Sequence, residues 1–318
     1  MDIHILLTLQ QIRISTGEFL NEFFLFISSI AIDYYIAIPA MIIFWVIDKK
    51  KGARILLTWG MSLCIGSLIK SIFCVYRPWI RSNKIHPVKG ALSGASGYSF
   101  PSGHSSSSSG FYSGLCMAFQ KYKGICIFSA IMIIITMFSR LYLGVHTPQD
   151  VIVGGLIGVI SALIVNKIVS IIDKKSNFDW IILLISTIGV SAILLYIFFK
   201  GYPMDYVDGK LLVDPSKMTV DGFKDPGRFY GIILGWFLER KLVKFNTPKS
   251  THKKIIMCLI GSLFYIFFWT AICNPLGKFV GFGPFHFLLQ MICQVIFMTL
   301  YPWLATKIIN SCSEKNKI

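Results

Sequence analysis

Long apolar stretches separated by short polar connections make up most of the chain from residue 23 onward. A helix needs about 20 apolar residues to cross a bilayer, and the stretches meet or approach that length. They cover residues 23–47, 53–73, 102–120, 124–144, 149–172, 180–199, 226–243, 254–274 and 284–308. The pattern predicts an all-α protein, a polytopic membrane helix bundle of about nine transmembrane helices.

Two segments depart from this regular pattern. The seventh stretch is short and begins near Arg228, so a tilted or re-entrant segment is an alternative to a full span. Ahead of the first stretch, apolar residues from Ile3 to Ile14 recur at helical spacing, which predicts a short helix in the membrane interface. We therefore expect an interfacial segment at 1–22, a first membrane domain at 23–172 and a C-terminal membrane extension of about four helices at 173–318, whose role the sequence does not indicate.

The composition supports membrane insertion and argues against nucleic-acid binding. The chain is 54% hydrophobic and only 14% charged, with a mean hydropathy of +0.66, which is too apolar for an ordinary soluble domain. The formal charge is +16, but the lysines and arginines cluster between apolar stretches and form no contiguous basic face. Such clusters are the expected topology signal beside spans.

The distribution of basic residues also predicts an orientation. If the N-terminus lies outside, the inside connections hold seventeen lysines and arginines and the outside segments hold ten. The positive-inside rule therefore places the N-terminus outside and the C-terminus in the cytoplasm. One basic loop, from Arg77 to Lys89, is an exception on the outside face and suggests a functional reason.

Several charged or titratable side chains lie near the outer ends of the second to fifth stretches, where charge is costly and is a functional candidate by default. Lys70 and Arg77 are seven residues apart, so both leave the same face if the helix continues to Pro78. They would then converge on one anion. The alternative is two unrelated side chains that snorkel near a helix end.

The segment Tyr98 to His104 closes a polar loop and opens the third stretch. The amides of Ser102, Gly103 and His104 would then be unpaired donors at a helix N-terminus, which is a ready anion site. Taken alone, His104 could equally be a polar residue at the membrane interface.

A second candidate group lies between the fourth and fifth stretches. Arg140 ends the fourth, and His146 follows shortly before Thr147 and Pro148 open the fifth. Asp150 stands at the third helical position, where a carboxylate is a good capping group. It is also placed to contact the His146 imidazole, and the two roles are compatible.

In chain order these residues spell K-x6-R-P, P-S-G-H and S-R-x5-H-x3-D. This three-part pattern resembles that of the type 2 phosphatidic acid phosphatase superfamily, over roughly residues 20 to 172. The matching residues are Lys70, Arg77, Pro78, Pro101, Ser102, Gly103, His104, Ser139, Arg140, His146 and Asp150. Beyond residue 180 no motif is found, although the number of stretches is similar to that of the glucose-6-phosphatase branch.

The resemblance implies a role for each of these residues. His146 is the expected nucleophile and forms a phosphohistidine, Asp150 holds its tautomer, and His104 protonates the leaving oxygen. The phosphate-binding groups are expected to be Lys70, Arg77, Arg140, Ser102 and Gly103. These groups supply the positive charge that a kinase takes from magnesium, so no metal and no cofactor are expected.

The expected activity is hydrolysis of a lipid phosphate or polyprenyl diphosphate by an integral, multi-pass protein of a bacterial plasma membrane, with the site on the non-cytoplasmic face. The alternatives are a phosphatase for a small soluble ester such as a sugar phosphate, a vanadate-type haloperoxidase, and a non-enzymatic phospholipid-handling protein or transporter. The bilayer and the lipid substrate are the expected partners, and the oligomeric state is left open. The segment from Lys200 to Asp225 is either a solvated loop or part of the access to the site.

Overall fold

The computed structural model describes residues 2–174, 178–207 and 209–315. In these ranges the chain is almost entirely helical. The helices are α1 (Asp2–Ser15), α2 (Asn21–Ser29), α3 (Asp33–Ile42), α4 (Lys49–Phe73), α5 (Pro78–Arg81), α6 (Gly103–Ala118), α7 (Lys123–Tyr142), α8 (Pro148–Lys174), α9 (Phe178–Phe199), α10 (Pro215–Leu238), α11 (Thr251–Phe267), α12 (Asn274–Phe279), α13 (Gly283–Val295) and α14 (Tyr301–Lys315).

Short irregular elements complete the fold. π-Helical segments extend α3, α10, α11 and α13 and cover Ile43–Ile47, Glu239–Val243, Phe268–Cys273 and Ile296–Leu300. A 3₁₀ turn spans Lys89–Ala91. Strands β1 (Tyr206–Val207) and β2 (Lys210–Leu211) form a small antiparallel pair in which Tyr206 lies opposite Leu211. Asp208, which follows β1 in the sequence, lies outside the described residues.

Within the described residues, six helical stretches are long and apolar enough to cross a membrane: Lys49–Arg81, Lys123–Tyr142, Pro148–Lys174, Phe178–Phe199, Thr251–Phe279 and Gly283–Ile308. The pair from Asn21 to Ile47 raises the number to seven if it is one span bent by 52°. The multi-pass membrane bundle is therefore confirmed, but the expected count of about nine is not. The two other predicted spans coincide with α6, which has only 16 residues and is rich in serine, and with α10, whose first half is charged.

Helix α6 lies in the middle of the bundle, packed against α4, α7 and α8. Its five consecutive serines, from Ser105 to Ser109, are all buried. A Cβ atom on Gly158 of α8 would lie 2.4 Å from the backbone nitrogen of Gly110. Small residues on both helices therefore let their backbones approach closely, as in other membrane helix pairs.

Helix α10 attaches the C-terminal extension to the rest of the bundle, because it packs against both α4 and α13. It begins at Pro215, eleven residues before the predicted seventh stretch, and the Asp214 carboxylate caps it by accepting from the Ser216 and Lys217 amides. The expectation of a loop reaching to Asp225 is therefore wrong. An Asp N-cap followed by Pro at the first helical position is a strong helix start that the hydropathy pattern conceals.

The predicted N-terminal helix is confirmed as α1. Its Arg13 side chain donates to the carbonyl oxygens of Tyr142, at 3.2 Å, and His86, at 2.6 Å. The Gln10 amide donates to the Lys84 carbonyl at 3.0 Å. Helix α1 therefore lies at the end of the bundle where α7 finishes. At the opposite end, a disulfide between Cys116 and Cys126 joins the last turns of α6 to the first turn of α7.

Candidate active site

Lys70 and Arg77 both bind the loop that precedes α6. They do not do so from one continuous helix. Helix α4 ends at Phe73, where the predicted second stretch also ends, and Cys74 follows in the left-handed region with φ 48°. The condition that the helix continues to Pro78 is therefore not met. A left-handed residue at the C-cap breaks the helical register. The Lys70 ammonium donates to the carbonyls of Tyr98 and Pro101, both at 2.9 Å.

Arg77 binds the same loop and is almost fully buried. Its Nε atom donates to the Gly97 carbonyl at 3.1 Å, and Nη2 lies 3.4 Å from the Ser96 carbonyl. Its Nη1 atom donates to the Val145 carbonyl at 3.0 Å. These contacts fix the guanidinium between the loop that precedes α6 and the one that precedes α8.

The turn at the start of α6 is built as expected, with one exception. The Ser102 hydroxyl is the N-cap and accepts from the Ser105 amide at 3.3 Å. The Ser102 amide donates to the Asp150 carbonyl at 2.9 Å, so the expectation that this amide is an unpaired donor is wrong. Gly103 and His104 occupy the first turn of α6, where amides have no partner within the helix.

The contact between Arg77 and His146 fixes the tautomer of the imidazole. Arg77 Nη1 lies 2.8 Å from His146 Nε2. A guanidinium can only donate, so Nε2 must be the acceptor and the ring proton must be on Nδ1. Nδ1 faces Asp150 Oδ2 at 3.3 Å. His146 therefore presents an unprotonated nitrogen on the side of the arginine.

The surroundings of His146 also keep it neutral. Burial is the largest cause, and the positive charges of Arg77 and Arg140 add to it, so that the pKa of His146 lies well below its usual value of 6.5. A neutral imidazole at pH 7 is the form that can act as a nucleophile.

Asp150 has both of the roles that the sequence left open. Its Oδ2 atom accepts from the Thr147 amide at 2.8 Å, which is the capping interaction, while it also faces His146 Nδ1. The Ser99 hydroxyl donates to the same oxygen at 2.5 Å and is fully buried. Ser99 was not among the predicted residues, because only its contact with Asp150 distinguishes it from the other serines of the loop.

Arg140 has unused donors in a buried position. Its side chain is 1% exposed, and Nη1 donates to the Ser28 hydroxyl of α2. Nε and Nη2 have no hydrogen-bond partner in the described part of the chain. Buried donors without a partner are costly and rare in native proteins. A bound anion would satisfy these two donors.

His104 completes the group. It is buried on the first turn of α6, and the charges of Arg140, Arg77 and Lys70 all act on its ring. A Cβ atom on Gly94 would lie 3.6 Å from the Cε1 atom of His104. The loop that precedes α6 therefore lies against the imidazole ring.

The structure thus gathers the predicted residues at one end of the bundle. Some of them are in direct contact and others interact only through their charges. Arg77, His146 and Asp150 are joined by direct contacts, and Arg140 and His104 lie within electrostatic reach of them. Among residues 2–174, 178–207 and 209–315, no three His, Cys, Asp or Glu side chains form a group that could hold a metal ion.

The comparisons with known proteins agree with the predicted resemblance. Residues 51–174 match the PAP2 superfamily, and residues 223–312 match the transmembrane extension of PAP2 superfamily phosphatases. An undecaprenyl-diphosphatase of Sulfolobus acidocaldarius is 28% identical over 140 residues, which cover 44% of this chain and 66% of that relative. No solved structure is significantly similar to the chain. The chain belongs to the PAP2 superfamily and carries that superfamily's transmembrane extension.

Proposed function

We propose that the protein is an integral membrane phosphatase that hydrolyses a lipid phosphate or a polyprenyl diphosphate through a phosphohistidine at His146, without a metal ion. The observation that carries this proposal is the pair of buried, unpartnered Arg140 donors close to the Arg77–His146 contact. Together they form a site for a small tetrahedral anion beside an unprotonated imidazole nitrogen.

In the first step His146 Nε2 attacks phosphorus, and the bond between phosphorus and the leaving oxygen breaks. In the free protein Arg77 Nη1 donates to His146 Nε2. When substrate is bound, Nη1 donates to the phosphoryl group instead. The negative charge of the bound phosphate offsets the surrounding positive charges and favours protonated His104 in the complex. His104 then gives its proton to the leaving oxygen, which departs as an alcohol or a monophosphate rather than as an alkoxide. Asp150 holds the Nδ1 proton and stabilises the positive charge that develops on the ring.

In the second step water attacks the phosphohistidine. His104 is now neutral and takes a proton from the water, while the N–P bond breaks and its electron pair returns to Nε2. Inorganic phosphate leaves, and both histidines regain their starting protonation states. The same residue thus acts first as acid and then as base.

Negative charge on the three equatorial oxygens must be stabilised in both steps. Arg77 and Arg140 supply fixed guanidinium donors, and the amides of Gly103 and His104 add the positive end of the α6 dipole. Lys70 uses two of its three hydrogens on loop carbonyls, so its main part is to hold the loop and to add charge.

The position of the site favours a substrate that remains in the bilayer. The reactive groups lie where α4 and α7 end and where α6 and α8 begin, near the depth of lipid head groups. Helix α1 lies at the same end, so the N-terminus and the site share a face. The positive-inside pattern of the sequence predicts that this face is outside the cytoplasm.

A phosphate-release screen of the purified protein in detergent tests the proposal. Lipid monophosphates, polyprenyl diphosphates and sugar phosphates are compared, with His146→Ala as the control for contaminating phosphatases. We expect at least one lipid substrate to be turned over and sugar phosphates to be poor substrates. Turnover of sugar phosphates alone, or of no phosphate ester, would contradict the proposal.

A further inference from the structure

A cavity of about 130 Å³ lies between α4, α6 and α10, directly beside the site. Its lining combines apolar side chains such as Leu63 and Met218 with serine hydroxyls, one lysine and two carboxylates. The lining nearest to the site and on α10 consists of Lys70, Ser96, Gly103, Ser106, Asp221 and Asp225. A polar cavity of this size accommodates roughly four water molecules or a small polar group.

The cavity adjoins the proposed phosphate site. Lys70 and Gly103 line it and belong to that site as well. The Ser96 carbonyl accepts from Arg77 Nη2. Gly103 is on the same turn of α6 as His104, the proposed acid, which must face the leaving oxygen. The cavity therefore lies next to the helical turn that carries the proposed acid.

The far wall of the cavity is acidic and comes from the C-terminal extension. The side chains of Asp221 and Asp225 are 36% and 29% exposed. Asp221 pairs with Lys224 at 2.7 Å, and Asp225 pairs with Arg228 at 3.4 Å. Each cation lies three residues further along α10. A carboxylate has roughly four lone-pair positions, so the ion pair with Lys224 does not use all the acceptor positions of Asp221.

This wall distinguishes between possible leaving groups. A second phosphate would lie against two carboxylates, with Lys70 as the nearest lining cation, and like charges at close range are unfavourable. A hydroxyl or ammonium group would find acceptors in Asp221 and Asp225. The lining therefore fits a hydroxyl or ammonium group and not a second phosphate.

We infer that this cavity is a leaving-group subsite, in which Asp221 and Asp225 of α10 select lipid monophosphates that carry a hydroxyl or ammonium group close to the phosphate ester. The inference rests on the proposed function and narrows it, since it disfavours polyprenyl diphosphates. It also gives the extension a role, because α10 supplies the acidic wall.

The test compares three substrates in the same detergent: sphingosine 1-phosphate, which carries an ammonium and a hydroxyl group, phosphatidate, whose remaining glycerol oxygens are acylated, and farnesyl diphosphate. Wild-type protein should have its highest kcat/KM with sphingosine 1-phosphate. Asp221→Asn and Asp225→Asn should each lower that value roughly tenfold, the usual cost of one charged hydrogen bond, and change phosphatidate hydrolysis by less than about twofold.

Lys217→Gln is the matched control, because it removes a charge from an exposed side chain of the same helix that does not line the cavity. It should leave the substrate preference unchanged. The inference is overturned if both aspartate variants lose all activities in parallel, if neither changes the preference, if Lys217→Gln reproduces the loss, or if wild-type protein prefers the diphosphate. Absence of wild-type activity on all three substrates would instead count against the proposed function.

Discussion

At the scale of single residues, the motifs predicted which side chains meet but not how they are held. His146, Asp150, Arg77 and Arg140 are predictable, because their chemistry and order in the chain match a known pattern. Ser99 was not, because a contact between distant segments has no local signal. The seven-residue spacing of Lys70 and Arg77 does not place them on one helix, since one left-handed residue ends α4 before Arg77.

Ser99 is the clearest case for a test at this scale. Its hydroxyl donates to Asp150 Oδ2 at 2.5 Å, so its loss should leave the carboxylate less well placed against His146. We expect Ser99→Ala to lower kcat by about tenfold, the cost of one strong hydrogen bond to a charged group, with little change in KM.

Steady-state kinetics of a double-mutant cycle with Asp150→Asn test this assignment. If Ser99 acts through Asp150, adding Ser99→Ala to Asp150→Asn should cost much less than it does alone. Ser109→Ala is the control, because its hydroxyl is also buried but donates to the Gly155 carbonyl at 2.6 Å. Full additivity in the cycle would show that Ser99 has a general packing role instead.

At the scale of helices, hydropathy located most elements but overestimated the number of membrane spans. Helix α6 is serine-rich because it packs closely against its neighbours, and α10 is charged in its first half, where it lines a cavity. Both features lower hydropathy, so the stretches at 102–120 and 226–243 located α6 and the second half of α10, but neither helix is among the six long apolar stretches of the described residues. The start of α10 at Pro215 was missed for this reason.

The close approach of α6 and α8 gives a prediction for stability. A Cβ atom on Gly158 would lie 2.4 Å from the Gly110 nitrogen, and backbone atoms cannot move aside without separating the helices. We expect Gly158→Ala to lower the free energy of unfolding by about 1–3 kcal/mol, the usual cost of overpacking.

Thermal unfolding in detergent should therefore occur at a lower temperature for Gly158→Ala than for wild type. Gly189→Ala on α9 is the control, because a Cβ atom there meets nothing within 4 Å, and its Tm should not fall. Equal melting temperatures for Gly158→Ala and wild type would contradict the tight α6–α8 packing.

At the scale of the whole molecule, the chain combines the PAP2 superfamily domain with the transmembrane extension. The extension was predicted as membrane-spanning, and a contact with the site was one of two alternatives for the segment from Lys200 to Asp225. The sequence did not decide between them, because no motif marks Asp221 or Asp225. Their place on the cavity wall depends on how α10 packs against α4, which only the folded molecule reveals.

The cationic site as a whole predicts catalysis without a metal ion. Arg77, Arg140 and the first-turn amides of α6 already provide the charge that a divalent ion would supply. Millimolar EDTA should leave phosphate release by the purified protein within about twofold of its untreated rate, a change too small to reflect loss of a catalytic ion. Activity that is lost in EDTA and restored by magnesium or zinc would contradict metal independence.

The central claim is that His146 carries the phosphoryl group, and rapid quenching with substrate labelled at the reacting phosphate tests it most directly. The account predicts an alkali-stable, acid-labile label on His146 of wild-type protein. His146→Ala should show no label and lose activity by at least about a thousandfold, as expected when a nucleophile is removed. A label on another residue, or near-normal turnover by a folded His146→Ala variant, would contradict the account.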